Sequence, residues 1–297
     1  MTAVSRAIAG LVAARRRAAT GHFRVGLETV LSRKTLHELP RFIQWAADHG
    51  ADYIIATHLL NYTQCSEELS LFNPNSPEAV QLFNTFNDRA AAQGIDLSDC
   101  LSTYLKYTKT EADQTVLRLF HEMQQVARDR DIRLHLRSLL EYTTAETERV
   151  EQVFAAGRAI AADNGIELFL PPQQALPQRT CRFIADQAVF IAASGAVMPC
   201  HFLWHTYSCR VHGEDVQVRE CAFGTIREQS LESIWQSNEY RLFRREAGEY
   251  DYSSCWSCAQ GPCATLVNDN ILSANDCYGS QVPCGHCQWN LGGIRCL

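Results

Sequence analysis

Cysteine is distributed very unevenly along the 297 residues of this chain. Eleven of its thirteen cysteines lie between Cys181 and Leu297, and residues 1–180 contain only Cys65 and Cys100. Thiolates are soft anionic ligands, and loops that gather several of them hold zinc or iron–sulfur clusters. The cysteine-rich part also has little apolar surface for its length, so bound metal would supply much of its folding free energy. The sequence therefore predicts a metal-dependent C-terminal part.

Composition excludes several other classes of protein. The chain is 46% hydrophobic and 20% charged, which is typical of a globular protein, and its net charge is −6. It has no basic footprint beyond Arg15, Arg16 and Arg17, so we expect no nucleic-acid partner. It has no apolar run long enough to span a membrane and no secretory signal, because these arginines follow the apolar run at 7–14. A reducing, cytoplasmic location is predicted, where clustered cysteines favour metal over disulfides.

The first part of the chain alternates between strand and helix patterns. Strands are predicted at 24–31, 52–60, 132–136 and 166–170, and helices at 4–19, 35–50, 76–94, 110–129 and 144–164. Repeated strand–helix units build a parallel sheet with helices packed outside it. Four strands cannot close an eight-stranded barrel, so the predicted class is α/β with a partial TIM barrel. We assign this incomplete βα series to residues 1–172 and a small cysteine-rich domain to residues 181–297, joined by a proline-containing linker.

Two short elements are predicted inside the cysteine-rich part. Residues 188–199 read as a β-hairpin whose turn is Ser194-Gly195. Ser230 is a helix N-cap, and the helix is predicted to run to about Arg245 with Leu231, Ile234 and Trp235 on one face. Trp235 is then expected to pack this helix on the hairpin.

Four spaced motifs carry a resemblance to a known family. They are Cys181-x13-Gly195-x4-Cys200, Phe223-Gly224-Thr225-Ile226, Ser230-Leu231-x2-Ile234-Trp235 and Cys255-x2-Cys258. Together they resemble the SPASM domain, the C-terminal extension of many radical SAM enzymes, which carries auxiliary [4Fe–4S] clusters. The preceding βα units resemble, more weakly, the latter half of the radical SAM partial TIM barrel.

The resemblance implies a set of metal ligands. Cys181 and Cys200 would ligate a first auxiliary cluster, and Cys255, Cys258 and Cys263 a second. Cys263 follows Cys258 after four residues, where the family has five, and no cysteine follows it at the family's next position. The remaining ligands would come from a group whose order is not fixed by the resemblance: Cys277, Cys284, Cys287 and Cys296. Cys209 and Cys221 are then spare.

One family motif is absent from the chain. Radical SAM proteins bind S-adenosylmethionine and a catalytic cluster through Cys-x3-Cys-x2-Cys, and no Cys-x3-Cys occurs in these 297 residues. The chain thus resembles a radical SAM/SPASM protein without its N-terminal portion, and its catalytic residues are unassigned. The resemblance implies auxiliary clusters that serve electron transfer or substrate binding in radical modification of a peptide or protein. It also implies a redox partner or a complementary N-terminal half, with S-adenosylmethionine bound only if that half is supplied.

Other side chains admit plainer interpretations. The alternative for the whole chain is a zinc-stabilised binding or scaffold protein without redox activity, because Cys-x2-Cys pairs also suit tetrahedral zinc. Cys65 and Cys100 are expected to be buried core cysteines. His58, His121 and His135 are expected to be packed or surface side chains, and Trp289 and Trp256 to shield a cluster. Glu28 and Asn61 are weak candidates for contacts with substrate or S-adenosylmethionine, because barrel active sites lie at the carboxyl ends of strands.

Overall fold

The structure of this chain is a computed structural model. It describes residues 3–18, 23–60, 63–141, 143–176, 181–211 and 214–249, together with residues 287, 289 and 292. The architecture is mixed α/β. None of the helices in these ranges is both long and apolar enough to cross a bilayer.

Helices predominate up to residue 176. In chain order the elements are α1 (Ala3–Arg17), β1 (Gly26–Leu31), α2 (Leu39–Asp48), β2 (Tyr53–His58), α3 (Gln64–Glu68), α4 (Pro77–Ala91), α5 (Cys100–Leu105), α6 (Glu111–Asp129), α7 (Leu136–Leu140), α8 (Thr144–Asp163) and β3 (Glu167–Phe169). The elements after residue 180 are shorter. They are α9 (Arg182–Ala185), β4 (Phe190–Ile191), β5 (Ala196–Met198), β6 (Tyr207–Val211), β7 (Glu214–Val218), β8 (Gly224–Thr225), α10 (Leu231–Gln236) and α11 (Asn238–Gly248).

The described residues divide into two compact units, neither of which is continuous in sequence. The first takes its described residues from 1–72 and 143–173, and the second from 73–142 and 174–292. Residues 73–142 therefore group with the C-terminal part in space. The sequence-based division at 171–180 stays a prediction about folding units.

The first unit is built on a three-stranded parallel sheet in the order β1-β2-β3. Gly26 pairs with Tyr53, and Tyr53 in turn pairs with Glu167. Apolar side chains of α2 and α8 pack on the sheet, including Ile43 and Phe154. These strands and the two helices confirm the predicted parallel pattern at those positions. Strand β3 has three residues and pairs with β2 in three positions.

The strand predicted at 132–136 is wrong. Residues 132–135 form no helix or strand, His135 is extended, and α7 begins at Leu136. The Asn75 side chain explains the difference, because its Oδ1 accepts from the His135 N–H at 2.7 Å and its Nδ2 donates to the His135 carbonyl at 3.1 Å. The backbone groups that a sheet would use are thus already satisfied. His135 then caps α7, accepting from the Ser138 N–H.

The second unit contains a helical core formed by α4, α5 and α6. Buried side chains on these helices include Phe83, Leu119 and Met123. Ser76 caps α4, with Pro77 at its first position, as the sequence predicts. Thr110 and Asp113 form a reciprocal capping box at the start of α6. Cys100 is buried in this core, as expected, whereas Cys65 is exposed on the short α3, so the prediction of a buried Cys65 is wrong.

His58 is a buried histidine at the carboxyl end of β2. It is 2% exposed, and its Nε2 lies 2.7 Å from the Pro172 carbonyl oxygen, so Nε2 carries the proton and donates. Its Nδ1 is buried and has no hydrogen-bond partner among the described residues. Burial lowers the pKa of His58 to about 4, and the bond to Pro172 offsets this only in part. The side chain is packed, as the sequence analysis expects, and is neutral in the folded protein at pH 7.

We predict that His58 makes the first unit sensitive to mild acid. An unfolded histidine has a pKa of about 6.5, so the unfolded state takes up the proton first. The contribution of His58 to the free energy of unfolding is then at its maximum above about pH 6.5. It falls as the pH drops towards 4, by up to about 3 kcal/mol. In urea titrations at pH 7 and 4.5, His58→Gln, which keeps a donor for Pro172, is expected to show a smaller pH effect than the wild type. His121→Gln, at an exposed site, is the matched control and keeps the full effect. An equal pH dependence in wild type and His58→Gln would contradict the assignment.

Candidate metal centre

A β-hairpin positions the first two predicted ligands. Strands β4 and β5 pair antiparallel, with Phe190 opposite Met198, and Gly195 lies in the turn with φ of 90°. A Cβ at Gly195 would lie 3.1 Å from the Thr225 Oγ1, so glycine is favoured there by both backbone and space. The hairpin predicted at 188–199 is confirmed. Cys200 lies two residues after the end of its second strand, and Cys181 lies at the N-cap of α9 before its first strand.

Cys200 is at the centre of a group of cysteines. Burial of its sulfur is the main reason why the pKa of the Cys200 thiol lies far above its ordinary value, although part of the residue remains at the surface. Negative charge on Cys287 and on Cys181 would raise that pKa further, so both sulfurs lie within electrostatic range. The fold therefore gathers three of the nine predicted ligands, including one from far along the chain.

The backbone after Cys200 favours a thiolate. Residues His201–Leu203 form a single 3₁₀ turn that begins at Cys200. The N–H groups of Leu203 and Phe202 act on the sulfur and lower the pKa of Cys200, against the larger effect of burial. Neither makes a full capping hydrogen bond to the side chain. Amide groups directed at a cysteine sulfur stabilise the anion and tune the potential of a bound cluster.

Aromatic rings cover this group of cysteines. The ring of Trp289 lies 4.6 Å from His201 and 5.2 Å from Phe202, centroid to centroid. His201 also contacts Phe183 at 5.2 Å, and burial lowers the pKa of His201. Trp289 packs against the same core as Cys200 and Cys287, and its shielding of a cluster stays a prediction. The rings of Phe183 and Trp289 thus fix the position of the His201 side chain. Its neighbour His205 stacks on Tyr207 at 4.7 Å.

Tyr240 is a buried side chain in the core beside these cysteines. It is 1% exposed, its hydroxyl donates to the Met198 carbonyl at 3.4 Å, and its ring stacks on Phe223 at 4.3 Å. Burial raises the pKa of Tyr240 to about 12, Arg244 opposes this, and the Cys200 and Cys221 thiolates would add to it. The Tyr240 ring therefore lies within electrostatic range of Arg244 and of two cysteine sulfurs.

The helix predicted from Ser230 to about Arg245 is broken. Ser230 caps α10 as expected, but the helix ends at Gln236, and Ser237 caps α11 by accepting from the Tyr240 N–H. A serine side chain that bonds to a backbone N–H three residues later starts a new helix. Ile234 is buried, whereas Leu231 is 40% exposed. Trp235 packs on Tyr240 at 5.2 Å and under the Arg244 guanidinium at 3.8 Å.

The other predicted ligands lie outside the described residues. They are Cys255, Cys258, Cys263, Cys277, Cys284 and Cys296. Asn61, Trp256 and His286 are outside them as well, whereas Glu28 lies in the middle of β1 and is exposed. Within the described ranges no three Cys, His, Asp or Glu side chains converge tightly enough to hold a single ion. The donors grouped around Cys200 are cysteine sulfurs, which are the ligands that iron–sulfur clusters take.

We predict that alkylation will distinguish the cysteines by burial. The thiolate is the reactive form, so a buried sulfur with a raised pKa reacts slowly. In native protein stripped of iron, iodoacetamide at pH 8 should label the exposed Cys65 at least tenfold faster than Cys200, with Cys100 as the buried control. Peptide mass spectrometry gives the rates, and circular dichroism checks that the stripped protein is folded. Equal rates for Cys65 and Cys200 would contradict the described burial.

Comparison with known proteins agrees with this geometry. Residues 181–259 match the family model for SPASM, an iron–sulfur cluster-binding domain. Over 135 residues, 46% of its length, the chain is 32% identical to the tungsten-containing aldehyde ferredoxin oxidoreductase cofactor-modifying protein of Pyrococcus furiosus. The chain covers 37% of the length of that relative. No solved structure matches the chain. The resemblance drawn from cysteine and glycine spacing is therefore confirmed for residues 181–259, which match the family model of the SPASM iron–sulfur cluster-binding domain.

Proposed function

We propose that the chain holds an auxiliary [4Fe–4S] cluster through Cys181, Cys200 and Cys287, together with one further thiolate. The observation that carries this proposal is that the Cys181 and Cys287 sulfurs lie within electrostatic range of Cys200, with Cys287 and Cys200 packed against one apolar core. When bound, such a cluster accepts and releases single electrons or binds a substrate group. The chain itself supplies the anionic ligands and the backbone N–H groups directed at Cys200, and Trp289 covers them from solvent.

A second cluster is proposed for the cysteines that follow. By the family pattern, Cys255, Cys258 and Cys263 would supply three of its ligands. The fourth would come from Cys277, Cys284 or Cys296. A reducing compartment such as the cytoplasm suits so many thiolates, because there they stay free to bind metal.

The role that we propose is electron transfer or substrate binding in a radical-based modification. The family resemblance suggests a peptide or protein as substrate, whereas the name of the Pyrococcus furiosus relative points to modification of an enzyme's cofactor. Both roles need a redox partner and a macromolecule that carries the group to be modified. The relative's name favours a partner enzyme over a free peptide.

The parallel sheet supports a further part of the proposal. Strands β1, β2 and β3 are all parallel, as in a segment of a radical SAM barrel. The 297 residues contain no Cys-x3-Cys-x2-Cys. We therefore propose that a radical-generating cluster and its S-adenosylmethionine are bound by other residues, in a longer protein or in a separate chain.

This proposal predicts that the 297-residue chain does not cleave S-adenosylmethionine. After anaerobic reconstitution with iron and sulfide and addition of dithionite, chromatography should detect no 5′-deoxyadenosine above a blank without protein. A complete radical SAM enzyme is the positive control. Formation of 5′-deoxyadenosine by the reconstituted chain would contradict this part of the proposal.

The alternative function is a zinc-stabilised binding or scaffold protein. It rests on the Cys-x2-Cys pairs at Cys255 and Cys284, which suit tetrahedral zinc. A colourless protein with stoichiometric zinc, purified anaerobically from cells grown with ample iron, would support zinc and contradict the cluster.

We predict that removal of Cys200 removes one cluster. Anaerobically purified wild type should be brown, absorb near 400 nm and contain iron and acid-labile sulfide in equal amounts. Cys200→Ser should lose about four irons per chain. Cys65→Ser changes an exposed cysteine in the other unit and is the matched control, with no loss expected. Equal iron content in Cys200→Ser and Cys65→Ser would contradict a cluster at Cys200.

A further inference from the structure

Cys221 lies beside the Cys200 turn, although its spacing from the other cysteines assigns it no role. Its N–H donates to the Leu203 carbonyl at 3.1 Å, and Leu203 closes the 3₁₀ turn that starts at Cys200. Two residues further on, the Phe223 N–H donates to the Val197 carbonyl at 2.9 Å. The segment that leads into β8 therefore runs alongside the segment that leads out of β5. This fixes the backbone of Cys221 against the turn that carries Cys200.

The side chain of Cys221 faces the same part of the core. Cys221, Cys200 and Cys287 all pack against one apolar cluster that contains Val197, Leu203 and Tyr240. The Tyr240 hydroxyl lies within electrostatic range of both the Cys200 and the Cys221 sulfurs. Tyr240 is almost completely buried, and its contacts with Met198 and Phe223 fix the position of its side chain. Two geometric observations, the backbone hydrogen bonds and the shared apolar cluster, thus place Cys221 beside the turn that carries Cys200.

The conformation of the neighbouring glycine holds this arrangement in place. Gly224 has φ of 150°, and a Cβ there would lie 3.1 Å from the buried Ile234 side chain. The close approach of α10 to β8 therefore depends on a glycine three residues after Cys221. The Phe-Gly pair of the family motif consequently fixes the position of the segment that carries Cys221.

A four-iron cluster takes four thiolates, and the grouping around Cys200 supplies three by the proposed function. Cys65 and Cys100 belong to other parts of the fold, since Cys100 lies in the helical core and Cys65 in the first unit. We propose that Cys221 is the fourth thiolate ligand of the iron–sulfur cluster at Cys181, Cys200 and Cys287. This inference rests on the proposed function, and it leaves all six later cysteines available for the second cluster.

The test compares cysteines that spacing alone treats as equivalent. Cys221→Ser and Cys209→Ser are made in the full chain, purified anaerobically and reconstituted with iron and sulfide. Cys221→Val keeps a side chain of similar volume in the apolar contacts, so that a loss of metal can be separated from a loss of packing. Iron and sulfide per chain are measured, with electron paramagnetic resonance of the dithionite-reduced protein and circular dichroism as a check of folding.

The expected results differ sharply between the variants. Cys221→Val should fold and bind about four irons and four sulfides fewer per chain than the wild type, whereas Cys209→Ser should match the wild type. Cys221→Ser should either lose the same cluster or keep it with shifted g values, because an alkoxide would replace a thiolate. Wild-type iron content and an unchanged resonance spectrum in both Cys221 variants would overturn the inference.

Failure of this inference is distinguishable from failure of the proposed function. If Cys200→Ser loses a cluster and both Cys221 variants keep it unaltered, only the role of Cys221 is wrong. If the wild-type chain binds no iron and sulfide, the proposed function itself is wrong, and the assignment of Cys221 is overturned with it.

Discussion

The structure around Cys200 depends on the burial of a sulfur that must become an anion to bind metal. Burial raises the pKa of the Cys200 thiol, and neighbouring thiolates would raise it further. Several negative sulfurs in an apolar core are unfavourable unless a cation neutralises them, so metal binding releases protons and contributes directly to folding. The hairpin, the 3₁₀ turn and the aromatic cover of Trp289 together create this environment. This environment suits thiolates that are bound to metal better than thiols that stay protonated.

This constraint also explains why the SPASM region can be so short of regular structure. Strands β4, β5 and β8 have only two or three residues each, and their apolar core is completed by Tyr240 and Phe243 of α11. Strands this short are marginal by themselves. A cluster that links Cys181, Cys200 and Cys287 would tie together the start of α9, the end of β5 and a distant part of the chain. In the proposed account, the metal acts as the central cross-link of the domain.

Sequence reasoning located the elements whose determinants are local. Ser76 with Pro77, and Thr110 with Asp113, fix helix starts within a few residues, and Gly195 fixes the hairpin turn. The wrong predictions arise where a side chain distant in sequence, or a second N-cap residue, determines the secondary structure. Asn75, sixty residues away, takes the backbone groups of His135 and prevents a strand. Ser237 restarts a helix inside an apparently continuous apolar pattern.

The proposed cluster ligands likewise divide into those that the local sequence predicts and those that depend on packing between distant segments. Spacing identified Cys181 and Cys200, because the hairpin between them is local. Spacing did not predict that Cys287 and Cys221 pack against the same apolar cluster as Cys200, because that depends on how separate segments of the chain fold together. Only the packed structure groups cysteines that are distant in sequence.

X-ray absorption at the iron edge of the reconstituted wild-type protein tests the central claim most directly. The account predicts a first shell made only of sulfur, together with iron–iron scattering from a multinuclear cluster. A first shell dominated by nitrogen or oxygen, without iron–iron scattering, would contradict it.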